Sequence, residues 1–117
     1  MIVDLHLKGD QVIVVGSGNE GVKKINSLLT QDCKILVISE TSNSQIEKFV
    51  KNGLIQFKKV KLKDASFLSK YKPYLVMATT NDKMLNRKIV EKARKMKSYA
   101  YASDAVSYTH LTLPTKA

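Results

Sequence analysis

Tryptophan is absent, cysteine occurs once, and acidic side chains are half as numerous as basic ones, 10 Asp and Glu against 20 Lys and Arg. The lone Cys33 excludes an internal disulfide. Its expected place is that of a buried small hydrophobe rather than a nucleophile, and no metal-ligand cluster is apparent. No run of about 18 apolar residues occurs, which argues against a membrane-spanning helix. Met1 to His6 carries neither a basic segment nor a long apolar one and does not read as a signal peptide. The expected compartment is therefore the cytoplasm. No internal repeat or low-complexity linker interrupts the 117 residues, a length suited to one domain.

The excess of cations, +10 overall, predicts attraction to polyanions: nucleic acid, anionic lipid or a small substrate with many carboxylates. Charge alone does not choose among them, and a solvated lysine-rich surface is the bland alternative. Much of the charge sits in Lys58 to Lys63, where Val60 and Leu62 alternate with lysines as on a half-buried strand. The rest is concentrated in Arg87 to Lys97, where Ile89, Val90, Ala93 and Met96 fall at helical spacing.

Short apolar runs alternate with helical stripes along the chain. Gln11 to Val15 is a β-branched run ending at glycine and reads as a buried strand. Val22, Ile25, Leu28 and Leu29 mark a helix closed by Gln31-Asp32, and Ile35 to Ile38 form a second strand. Thr41 to Ser44 offers N-cap candidates for a helix through Ile46, Phe49 and Val50 that stops at Asn52-Gly53. A third strand begins at Leu54, Asp64 caps a short helix through Leu68, and Pro73 precedes a fourth strand over Tyr74 to Ala78. Asn81 or Asp82 starts a basic helix reaching Lys97, and Tyr99 to Ala102 is a weaker fifth strand. This alternation predicts the α/β class, a Rossmann-type doubly wound parallel sheet.

Gly16-Ser17-Gly18-Asn19-Glu20-Gly21 has Gly-x-Gly-x-x-Gly spacing directly between the first strand and the first helix. Gly16 permits the tight turn, Gly18 lets a pyrophosphate approach the backbone, and Gly21 allows close helix–strand packing. Free N–H groups where the helix begins, around Asn19 and Glu20, would hold the anion. A lone match is a weak signal; its place between strand and helix strengthens it. The second strand ends in Ser39-Glu40-Thr41, and Glu40 stands about twenty residues past the glycines, where an acid accepts hydrogen bonds from ribose hydroxyls. With no arginine beside it for a 2′-phosphate, NAD is favoured over NADP. The alternative makes Ser39 the ribose contact and Glu40 a solvated acid.

The combination of motifs resembles the N-terminal domain of siroheme synthases and stand-alone precorrin-2 dehydrogenases. The carriers, in order, are the preamble Asp4-Leu5-His6-Leu7-Lys8-Gly9, the turn Val14 to Gly18, Lys23-Lys24 with Leu28-Leu29, and the segment Ala78 to Asn86. Tyr99 to Asp104 falls where that family has Asn-Val-Val-Asp. Ser17 departs from a middle glycine, Gly21 from a usual alanine, and Tyr101 from the asparagine before the aspartate. The resemblance implies hydride transfer from precorrin-2 to NAD⁺ to give sirohydrochlorin. It also implies Thr79 and Thr80 at the cofactor, Asp104 as the catalytic acid/base and a homodimer at full length, with neither nucleic acid nor membrane as partner. The charge is compatible with a polycarboxylate substrate. Family members continue into dimerisation and helical regions, so the chain as given is expected to bind NAD and to turn over poorly.

Two rival readings exist. Regulatory NAD-sensing Rossmann domains of potassium transport systems share the glycine turn and a segment like Thr79 to Asn86, whereas the preamble and Lys23-Lys24 count against them. A nucleic-acid module rests on charge alone. Residues 106–117 contain no acidic residue and no helical period, and they look like a translated sequencing-library adapter. The expected division is a 1–105 NAD-binding domain and a non-native 106–117 tail, the natural protein continuing differently.

Overall fold

The computed structural model describes residues 9–102. The preamble through Lys8, the proposed catalytic Asp104 and the tail lie outside the described residues. Gln11–Val15 forms β1, Asn19–Leu28 α1, Lys34–Ser39 β2, Ser44–Lys51 α2 and Gln56–Lys59 β3. Phe67–Tyr71 forms α3, Leu75–Ala78 β4, Lys83–Lys95 α4 and Tyr99–Ala102 β5. All sheet pairings are parallel, in the order β3-β2-β1-β4-β5.

Period-two geometry divides each central strand between two cores. Ile13 and Val15 of β1, Leu36 and Ile38 of β2, and Val76 and Ala78 of β4 pack with Leu68 of α3 and Leu85, Ile89 and Ala93 of α4. Val12, Val14, Ile35, Val37, Leu75 and Met77 point the other way, against Ile25 and Leu28 of α1 and Ile46 of α2. Both faces are thus covered, which is why these strands read as unbroken apolar runs. The expected doubly wound sheet is observed.

The helix ends follow local chemistry. Asn43 caps α2, its side chain accepting from the Ile46 N–H at 2.9 Å, and Asp82 caps α4 through Leu85 N–H at 3.1 Å. The basic helix ends at Lys95 rather than Lys97, because Lys97 turns to φ 63° in the left-handed region. Asp64 does not cap α3: its carboxylate accepts from the Ser66 N–H at 2.9 Å, one turn early, and Ser66 occupies the cap position without a side-chain bond. β3 starts at Gln56, not Leu54, and ends at Lys59. Val60 and Leu62 therefore lie past the strand, yet both remain half-buried against the α3/α4 core while Lys61 and Lys63 face outward. Among the described residues no helix is long and apolar enough to cross a membrane.

Cys33 is half-buried rather than buried, its thiol 3.6 Å from the Leu28 carbonyl. Burial, ahead of repulsion from Asp32 and Asp10, pushes the thiol pKa up. The thiolate is the reactive form. Alkylation of the native chain by iodoacetamide at neutral pH should accordingly be several-fold slower than in denaturant. Equal rates would show an unprotected thiol.

Candidate functional site

β1 and β4 are neighbours whose outgoing helices pass to opposite faces, α1 to one core and α4 to the other. A crevice opens at such a switch point, beyond the carboxyl ends of the strands. Here it is a cleft of about 650 Å³. Gly16, Ser17 and Gly18 line it after β1, Ser39, Glu40 and Thr41 at the end of β2, and Thr79 and Thr80 after β4. Asn19 and Glu20 do not line it. They open α1 beside it, and the Glu20 side chain points to Lys23 at 3.7 Å on the surface.

The turn is built around Thr79. Its hydroxyl and its N–H each donate to the Val15 carbonyl at 2.8 Å, bringing the start of the β4 loop against the end of β1. Gly16 passes over it with φ 114°, and a Cβ there would sit 2.6 Å from Thr79 Oγ1. Gly21 is equally constrained, since its Cβ would lie 2.7 Å from the Gly16 carbonyl oxygen. Gly18 differs: φ is −78°, and a Cβ would meet nothing within 4 Å. Its missing side chain leaves open cleft where the other two leave room for protein.

Gly18 is the N-cap of α1 and supplies no capping side chain. The first-turn N–H groups have no intrahelical acceptor, the first α-helical bond being Val22 N–H to the Gly18 carbonyl at 3.0 Å. Unpaired donors with the positive end of the helix dipole behind them favour an anion. Asn43 sets the preceding peptide: its Nδ2 donates to the Ser17 carbonyl while its Oδ1 caps α2. In a trans peptide this directs the Gly18 N–H to the opposite side.

A hydroxyl network joins this turn to β2. Ser17 Oγ donates to the Thr41 carbonyl at 2.9 Å and lies 3.1 Å from Thr41 Oγ1, and Ser39 Oγ donates to Ser17 Oγ at 3.0 Å. Ser39 Oγ also accepts from the Thr41 N–H at 3.3 Å. Both serines are buried, and their hydroxyls are occupied with one another. On the opposite wall the fully buried Asn86 holds the Thr80 loop, accepting from Thr80 Oγ1 at 2.6 Å and donating to the Thr80 carbonyl at 2.9 Å.

Several lining residues escaped sequence reading: Ser42 and Asn43 after β2, Val60 to Leu62 after β3, and Asn81, Asp82 and Leu85 at α4. Asn43 and Asp82 were visible as helix starts, although not as cleft walls. Among the described residues no group of three or more His, Cys, Asp or Glu could hold a metal.

This glycine turn at a parallel-sheet switch point agrees with comparison to known proteins. Residues 3–115 match the family described as "Putative NAD(P)-binding". The chain belongs to that family. It is 34% identical over 89 residues to a siroheme synthase of Actinobacillus pleuropneumoniae serotype 7 (strain AP76), covering 76% of this chain and 18% of that protein. A siroheme synthase of Nitrosococcus oceani is 25% identical over 111 residues, covering 95% of this chain and 23% of that protein. Among solved structures, "SirC, precorrin-2 dehydrogenase" superposes with a TM-score of 0.66 at 27% identity, covering 76% of this chain and 43% of the other. The resemblance to siroheme synthase read from the motifs is thus borne out, and so is the Rossmann-like fold. The chain spans about a fifth of the length of those two siroheme synthases, 18% and 23%.

Proposed function

We propose that this domain binds NAD and serves the oxidation of precorrin-2 to sirohydrochlorin in siroheme biosynthesis. The observation that carries the reading is the Gly16 to Gly18 turn, open at Gly18 and backed by the uncapped start of α1, at the switch point of a sheet like that of a precorrin-2 dehydrogenase. The cleft fits the cofactor. Backbone N–H groups at Gly18, Asn19 and Glu20 would take the pyrophosphate. Thr79 and Thr80 would line the nicotinamide side. For the ribose, Glu40 is the better of the two candidates: it is exposed in the cleft, whereas the Ser39 hydroxyl is engaged with Ser17 and Thr41.

Bound NAD⁺ supplies the hydride acceptor. The chain's own residues must hold the ring at the C-terminal ends of β4 and β5 and remove the proton released as the hydride leaves. We assign the proton to Asp104, two positions past the end of β5, on the strength of the family resemblance. A net charge of +10 would raise the local concentration of a polycarboxylate ring and make its capture salt-dependent. The reading includes a homodimer at full length, as the resemblance implies, and a cytoplasmic setting.

The test is NADH absorbance with NAD⁺ and anaerobically prepared precorrin-2, using a protein that carries this domain at the length of its relatives. Precorrin-2-dependent NADH formation with the sirohydrochlorin spectrum is expected, and Asp104→Asn should lower kcat by at least about 100-fold. NAD binding without turnover would contradict the dehydrogenase reading. Unchanged kcat in the variant would remove Asp104 from the chemistry.

A further inference from the structure

Glu40 does not stand alone at the ribose end of the cleft. β3 runs parallel beside β2 with Ser39 opposite Lys59, and Val60 N–H donates to the Ser39 carbonyl at 2.9 Å, one residue beyond the strand. The segment leaving β3 therefore continues along the segment leaving β2. Sheet pairing ends there, and Val60, Lys61 and Leu62 go on to line the cleft together with Glu40. Val60 and Leu62 are drawn inward onto the α3/α4 core, and the alternation turns Lys61 outward, where it lines the same cleft as Glu40 and Ser42. Among the described residues neither Glu40 nor Lys61 is in an ion pair. The Ser42 hydroxyl is exposed and has only a 3.5 Å contact to the Asn43 carbonyl, so its donor is available.

We infer that this corner is a latent 2′-phosphate pocket, with Lys61 and Ser42 as its donors and Glu40 as the single group that keeps it closed to NADP. The inference rests on the dinucleotide reading above and adds the donors, Lys61 and Ser42, that a 2′-phosphate would meet. A carboxylate at the ribose 2′ position accepts hydrogen bonds from a hydroxyl and repels a phosphate dianion. Once the carboxylate is neutral, the ammonium brought in by the neighbouring strand has no competitor for the phosphate. An arginine next in sequence to Glu40 is the usual accommodation for NADP; here the cation lies two residues past β3, and strand order brings that segment to the end of β2.

The experiment is titration of the chain with NAD⁺ and with NADP⁺, as wild type, Glu40→Gln and Glu40→Gln with Lys61→Gln, circular dichroism confirming that each is folded. Wild type should bind NAD⁺ more tightly than NADP⁺. Glu40→Gln should tighten NADP⁺ at least about 10-fold, and that gain should shrink as salt rises, because the contact is between partly exposed charges. Removing Lys61 as well should abolish the gain. If Glu40→Gln loses affinity for NAD⁺ without gaining any for NADP⁺, or if the gain survives the loss of Lys61, the pocket does not exist as described. If folded wild type binds neither nucleotide, the dinucleotide reading itself is overturned, and this inference with it.

Discussion

Gly16→Ala is expected to lower stability by about 2–6 kcal/mol. Two costs add. A side chain held at φ 114° sits in a region that L residues rarely adopt, at about 1–3 kcal/mol. Its Cβ would also press within 2.6 Å of Thr79 Oγ1 and 3.0 Å of the Thr79 carbonyl group. Relieving such overpacking costs about 1–3 kcal/mol more. Thr79 cannot retreat cheaply, because its hydroxyl and N–H hold β4 against β1 through the Val15 carbonyl. At roughly 4–8 °C per kcal/mol for a small domain, thermal melting followed by circular dichroism should show a drop of at least about 8 °C. A melt within about 2 °C of wild type would mean that the turn is not built as described.

Gly18→Val should do the reverse, sparing the fold and removing the cofactor. Its backbone, at φ −78° and ψ −168°, is open to any residue, and a Cβ would project into the cleft with no neighbour within 4 Å. Valine is a poorer N-cap than glycine, a cost of about 1 kcal/mol or less. In the complex the same methyl groups would occupy the space in which a pyrophosphate meets the uncapped N–H groups of α1. NAD⁺ affinity should fall by at least about 100-fold, corresponding to about 2.7 kcal/mol. The pair separates glycine required by the protein from glycine required by the ligand. Unchanged NAD⁺ affinity in a folded Gly18→Val chain would place the pyrophosphate elsewhere.

Legibility in the sequence followed locality. β1, β2 and β4 could be read as apolar runs because both of their faces are buried, and Asn43 and Asp82 could be read as helix starts because a cap is a local hydrogen bond. β3 was misplaced by two residues. As an edge strand it has only Phe57 half-covered, while the buried Ile55 lies just before it and imitates a strand start. The Val60 and Leu62 alternation was a true sign of burial but not of a strand: the alternation persists after sheet pairing ends, because Ala65 and α3 fold back beneath it.

The site divides in the same way. The glycine turn is contiguous, and so is the acid ending β2, so both were legible. The bonds of Ser17 to Ser39 and Thr41 span 22 and 24 residues and depend on the β1–β2 register. Ser17 stands where the resembling family has glycine. Its hydroxyl makes that position a tie between the glycine turn and the end of β2. Gly21 stands where the family usually has alanine, and the 2.7 Å approach to the Gly16 carbonyl shows that the exchange is not neutral here. Lys61 belongs to a charge run in the sequence; only the strand order β3-β2-β1 reveals that it lines the same cleft as Glu40.

The most direct test of the central claim is calorimetric titration of the folded chain with NAD⁺, beside Gly18→Val as control. The account predicts saturable binding at one site per chain, lost in the variant while the melting curve is kept. A folded wild-type chain that gives no saturable heat with NAD⁺ or NADP⁺ would contradict it.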